Sequence, residues 1–257
     1  MTVAYLSLPM VFASTVAVVL ASIALGFRAG RRRRAQGTEG GEPVGGLVGA
    51  VLGLLAFMLA FTFGSAAGRF DARKQLLLNE VNAIGTAMLR TELLPEPQRA
   101  ESRRLLKRYV SIRAGVGRPE TNLPEAIAES EAIQKQLWAQ AIAASKDSPS
   151  TTTMLLLPAL NEVFDLHTSR LTVGLHYKIP QGIWIGLLFI TELAMVSVGY
   201  QLGFSNTRNL LVPAILAVSF STVVLLIADL DRATSSGLTL SQQPMVALDK
   251  EFSTLEP

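Results

Sequence analysis

Between Val44 and Gly68 the chain runs VGGLVGAVLGLLAFMLAFTFGSAAG without one charged side chain. A helix of that length matches the hydrocarbon core of a bilayer, where every backbone polar group has to be satisfied internally. Pro9 to Phe27 and Leu210 to Ala228 are equally uncharged, and Gly182 to Phe204 is broken only by Glu192. Four such runs, with 49% hydrophobic residues overall and a mean hydropathy of +0.37, predict an all-α membrane protein whose first partner is the lipid bilayer. The first run has no positive charge ahead of it and is followed by arginines, the reverse of a cleaved leader, so it reads as a retained helix.

The spans fall in two pairs along the chain. The first pair occupies 1–68, joined by an exposed Gly- and Arg-rich linker from Gly30 to Pro43. The second occupies 181–229, where the short stretch Ser205 to Asn209 makes the helices antiparallel. Residues 69–180 between the pairs read as a helical extramembrane domain, and 230–257 as a C-terminal tail. No breaker separates Gly68 from DARKQLLLNEVNAIGTAMLRTELL, so the second span continues out of the membrane as one long helix until Pro95 and Pro97. Amphipathic helices are then predicted over about Gln98 to Ala114, from Pro124, and over Thr151 to Tyr177 with a bend at Pro158. In the tail, LTLSQ alternates apolar and polar, as a short strand or a wrapping segment would.

Small residues on the second span, Gly49, Gly53, Ala56, Ala60, Gly64 and Ala67, form a stripe that lets another helix backbone approach. Phe57 and Phe61 lie on other faces and suit lipid, a core, or a pore constriction.

Charge excludes more than it identifies. The formal charge is +3, and the excess sits in Arg31 to Arg34 beside an apolar helix, which is not the basic face with interleaved aromatics that nucleic acid needs. With no cysteine there is no disulfide, thiolate metal site or cysteine nucleophile. Phosphate-binding loops and nucleophile elbows are absent, and His167 and His176 are not at ligand spacing, so no enzyme, cofactor or metal is expected. Glu162 and Asp165 lie near His167 and suggest a hydrogen bond on the helix surface. Counting Lys and Arg at the span ends, the short Arg31 to Arg34 linker is the better cytoplasmic candidate, which makes the helical domain and both termini extracytoplasmic.

Glu192 is the one ionisable residue within a span, and such groups are directed at a cavity or a partner. In the folded monomer its expected partners are the hydroxyls of Thr191, Ser197, Ser219, Ser221 and Thr222, with a water-filled pathway as the competing explanation.

Three blocks, RFDARKQLLLNEVNAIGTAMLR (Arg69 to Arg90), LNEVFDLHTSR (Leu160 to Arg170) and DLDR with GLTLSQQP (Asp229 to Pro244), resemble the bestrophin-like family of bacterial membrane proteins, long catalogued as a domain of unknown function. The matching positions include Glu80, Asn82, Arg90, Asp165, Arg170, Asp229, Asp231 and Arg232. The resemblance implies a homo-oligomer, by analogy a pentamer, in a bacterial inner membrane, related to bestrophins, which are chloride-type anion channels whose second helix lines a hydrophobic neck. Carried over, it makes Phe57 and Phe61 the neck, with Arg69, Arg73 and Lys74 as a basic ring at the pore mouth passing small ions. The calcium-clasp acidic cluster of animal bestrophins has no counterpart here. Two other readings stay open: a non-conducting sensor or scaffold that binds a partner through the helical domain, and a cation or proton pathway through Glu192.

Overall fold

In the computed structural model, residues 7–36, 44–116, 118, 120–147, 154–205, 211–232 and 240–255 are described. The elements are α1 (Leu8–Ala35), α2 (Val44–Thr91), α3 (Gln98–Gly115), α4 (Leu123–Asp147), α5 (Leu156–Leu171), a π-helical segment (Thr172–His176), α6 (Gln181–Phe204), α7 (Leu211–Asp231) and α8 (Gln243–Thr254). The chain divides into two compact units, one of residues 1–70 with 178–238 and one of residues 71–177 with 239–257. Among the described residues four helices are long and apolar enough to cross a membrane.

In the first unit, packing does not follow the pairs suggested by chain order. Instead α1 lies along α6 and also against α7. The α1–α6 contact is made backbone to backbone through two interleaved Gly-x-x-x-Gly pairs, Gly26 with Gly30 and Gly199 with Gly203. A Cβ on Gly26 would stand 2.0 Å from the Val196 carbonyl oxygen, and one on Gly199 would stand 2.1 Å from that of Ile23. Helices in lipid gain little from excluding water, so close van der Waals approach through small residues is what holds such a pair. Gly30 therefore lies in this seam and does not open a loop. The helix continues through Arg31 to Arg34, whose charges suit the negative end of its dipole. The remainder of the predicted linker, 37–43, lies outside the described residues.

Most of the stripe expected to pack α2 meets nothing among the described residues, since the space around Gly49, Gly53 and Gly64 is open to 4 Å, while Ala67 at its end packs partly against the core of its own unit. Leu55, Leu59, Thr62 and Ala66 are its buried face, against Trp184, Leu187 and Met195 of α6 and Ala217, Val224 and Ile227 of α7.

The second unit is an orthodox water-excluding core. Leu77, Ile84 and Met88 of α2 join Leu105, Leu106 and Tyr109 of α3, Leu137 of α4, and Leu156, Leu160 and Val163 of α5. The tail supplies α8, and Met245, Leu248 and Phe252 enter the same core. Its spacing of three and four is helical, and residues 240–242 precede that helix without forming a strand, while the first two residues of LTLSQ lie outside the described residues. Pro158 does not bend α5, because it lies in the first turn, where the missing N–H costs nothing.

Candidate functional site

Two arrangements carry the residues singled out above. The first is the outward face of α2, where Phe57 is 66% and Phe61 is 61% exposed, flanked by exposed Leu47 and Leu54 and by the open glycines. Neither ring packs in the core of its own chain. Below them on the same helix, Arg69 is half-buried and lies 4.0 Å from Asp231. Arg73 is only 7% exposed, whereas Lys74 is exposed. Arg73 and Lys74 thus differ although adjacent, because the helical turn that exposes Lys74 rotates Arg73 inward.

Asp231 also accepts the Ile179 backbone N–H at 2.8 Å, which fixes the approach to α6. Its neighbour Asp229 is buried, and the Asp229 carbonyl accepts the Arg232 N–H at 3.1 Å. The DLDR block thus ties the end of α7 to the start of α6.

The second arrangement is a buried polar cluster in the other unit. Glu80 is 0% exposed. Its Oε1 accepts from Tyr109 Oη at 2.9 Å and Arg113 Nε at 3.1 Å. Its Oε2 accepts from Arg170, whose Nη2 also donates to Gln242 at 3.3 Å. Burial alone would raise the Glu80 pKa, but the charges of Arg113 and Arg170 outweigh it and hold the carboxyl below its ordinary range. Burial next to that carboxylate raises the Tyr109 phenol.

The ring of His167 completes the cluster, with Nδ1 3.1 Å from the Tyr109 oxygen. A phenol has one proton, and here it is given to the carboxylate. The imidazole Nδ1–H must then donate to Tyr109, leaving Nε2 an unprotonated acceptor. That Nε2 is buried and has no partner among the described residues. Burial, assisted by Arg113, lowers the His167 pKa to about 4, so the ring is neutral at pH 7. The expected surface pairing with Glu162 or Asp165 is not found. Both carboxylates are exposed and line an open groove with Asn79, Asn82, Asn161 and Ser169.

Arg90 donates to the Leu155 carbonyl at 2.8 Å and so pins the start of α5. The cluster sets one carboxylate between two guanidiniums and ties α2, α3 and α5 together. Among the described residues no three His, Asp or Glu converge as a metal site would require. Arg113 escaped the sequence reading, as did the polar role of Tyr109, whose place on the apolar face of α3 the period does give, although one signal was present. Both continue the apolar face of α3 from Leu105 and Leu106, and a charged residue in register with a core face is the mark of a buried pair.

Glu192 sits halfway along α6 on an exposed stripe with Ile185, Phe189 and Leu193.

The bestrophin-like domain family matches residues 11–245. No match is found among curated protein sequences. Among solved structures, a bestrophin homologue from Klebsiella pneumoniae is similar with a TM-score of 0.70 at 13% identity, over 96% of this chain and 99% of that one. Its isoleucine-to-threonine variant gives the same TM-score and identity, over 94% of this chain and 99% of that one. A crystallised membrane protein carrying a glycine-to-alanine change reaches 0.73 at 12% identity, over 95% and 99% of the two chains.

Proposed function

Because the chain belongs to the bestrophin-like family, we propose that it is an oligomeric ion channel of a bacterial inner membrane, with the outward faces of α2 from several copies enclosing the pore. The single observation that carries this reading is the exposure of Phe57 and Phe61 on a face of α2 that is otherwise glycine and apolar side chains. Glycines there leave room for neighbouring α2 helices, and the rings narrow the passage to a hydrophobic constriction that gates by excluding water. Lys74 and the partly exposed Arg69 favour anions at the mouth, since basic side chains raise the local anion concentration. Arg73, being buried, contributes through the local field rather than by contact. A ring of five copies follows the family analogy, and closed rotational symmetry is the usual form of such assemblies.

Flux through the purified protein in liposomes tests this. Chloride is exchanged for a large impermeant anion and sodium for a large cation in separate runs. Flux that follows chloride and changes in Phe57→Ala or Phe61→Ala is expected. Protein that is folded and oligomeric yet passes no ion sinks the channel and leaves the scaffold reading.

A further inference from the structure

We propose that the outward stripe of α6 around Glu192 is a contact with a second copy of this chain, in which Glu192 meets the mid-span hydroxyls of the neighbour's α7. The argument begins with what Glu192 lacks. It is exposed halfway along an apolar span, and among the described residues no hydrogen bond or ion pair reaches it. The hydroxyls beside it in sequence are already committed to their own helix. Thr191 donates to the Leu187 carbonyl at 2.7 Å and Ser197 donates to that of Leu193 at 2.8 Å. A carboxyl left to face lipid at this depth is costly, so the face that carries it has to be covered by something with polar capacity.

The same chain presents that capacity elsewhere. Ser219 and Thr222 are exposed halfway along α7, on a stripe with Ile215, Val218 and Leu226 that is otherwise apolar; Thr222 donates to the Val218 carbonyl at 2.8 Å, so it offers a neighbour only its acceptor lone pairs. Both α6 and α7 use their inner faces against α1, and among the described residues nothing covers the two outward stripes. One patch carries a carboxyl and the other carries hydroxyls, at matching depth. Two different, complementary patches on one chain are what a closed ring of identical subunits requires, because each subunit offers one patch to each neighbour. Polar contacts of this kind between spans fix register as well as adding affinity. The inference deepens the oligomeric part of the proposed function and does not require that the assembly conduct.

The chain contains no cysteine, so introduced thiols report without background. Full-length protein carrying Glu192→Cys with Ser219→Cys, or Glu192→Cys with Thr222→Cys, is oxidised in membranes alongside the single variants. A disulfide forms only when the two Cα atoms come within about 7 Å, so the paired variants should give roughly tenfold more covalent multimer than any single one. Three results overturn the contact: no multimer from either pair although the unoxidised protein purifies as an oligomer, a covalent dimer from Glu192→Cys alone, or rapid labelling of Glu192→Cys by a membrane-impermeant thiol reagent. The last would place Glu192 in an aqueous pathway. If the paired variants fail to insert, Glu192→Gln should keep the oligomer and Glu192→Leu should shift it toward monomer, and equal behaviour of the two overturns the contact. Cross-linked protein that passes no ion would sink the channel reading alone.

Discussion

The two units of this chain solve the packing problem with opposite chemistry. In the unit that carries the spans, α1 and α6 meet through Gly26, Gly30, Gly199 and Gly203, where the nearest atoms across the seam are backbone rather than side chain. In the other unit, a carboxylate and two guanidiniums are buried together and closed by a phenol and an imidazole. The difference follows from the solvent. Against lipid tails, burying an apolar side chain gains little and close backbone approach decides the partner. In water the apolar core is driven together strongly enough to carry a costly ionic cluster, which then fixes how three helices register. One unit should therefore fail through steric change and the other through charge.

The largest effect is expected from Glu80→Ala. It strands Arg113 and Arg170 in a site from which water is excluded, and breaking one partner of a buried pair costs about 3–5 kcal/mol. Thermal unfolding of the purified protein by near-ultraviolet circular dichroism should show a large fall in midpoint. A triple variant, Glu80→Met with Arg113→Met and Arg170→Leu, should lose much less, because no charge is left unpaired. Equal losses would show that shape, not charge, dominates this unit.

Acid provides the next test. The folded His167 pKa is lowered to about 4 from 6.5. Between those values the unfolded chain takes up a proton that the folded chain refuses. Stability is therefore full above pH 6.5 and declines as pH falls toward 4, by roughly 3 kcal/mol at most. Glu80, whose pKa is lowered from 4.5, holds its contribution above that pH and loses it as pH falls further through the folded value. His167→Gln should flatten the decline between pH 6.5 and 4 and leave the steeper loss below it. A profile unchanged in that variant would assign the decline to other groups.

In the span-bearing unit the corresponding lesion is one methyl group. Gly199→Ala places a Cβ 2.1 Å from the Ile23 carbonyl oxygen and forces α1 and α6 apart. Overpacking of this kind costs about 1–3 kcal/mol. The midpoint should fall while the slope with pH stays that of the parent, which separates this seam from the ionic cluster.

How much of this was legible depended on whether the signal was local. Uncharged runs, the continuation of α2 past Arg69, and the amphipathic α3 and α4 are local and were readable from period and length alone. The glycine seam was not, because small residues three or four apart occur on several spans. Which stripe meets a partner within the chain is a tertiary fact, so the α2 stripe was as good a candidate as Gly26 and Gly199. The tail helix was hidden for another reason. Met245, Leu248 and Phe252 show a helical period only in a segment that starts after LTLSQ, whose alternation suits a strand or a wrapping segment. Glu80 and Arg170 were visible as members of a family pattern but not as partners, since 90 residues separate them. For Glu192 the position was readable and its neighbour was not, because the group it needs lies on another copy if the proposed contact holds.

The smallest effect on stability is expected where the effect on function is largest. Phe57 and Phe61 are exposed in the single chain, so truncating either removes little buried surface, and each should change unfolding by no more than about 0.5 kcal/mol. If they close a pore, however, Phe57→Ala and Phe61→Ala widen the constriction that holds back water, and ion flux in liposomes should rise several-fold with the oligomer intact. A lipid-facing role predicts neither change. A midpoint that falls by more than about 1 kcal/mol equivalent, with flux unaltered, would mean that these rings pack between subunits and that the outward face of α2 is an assembly seam, the lipid counterpart of the glycine contact between α1 and α6.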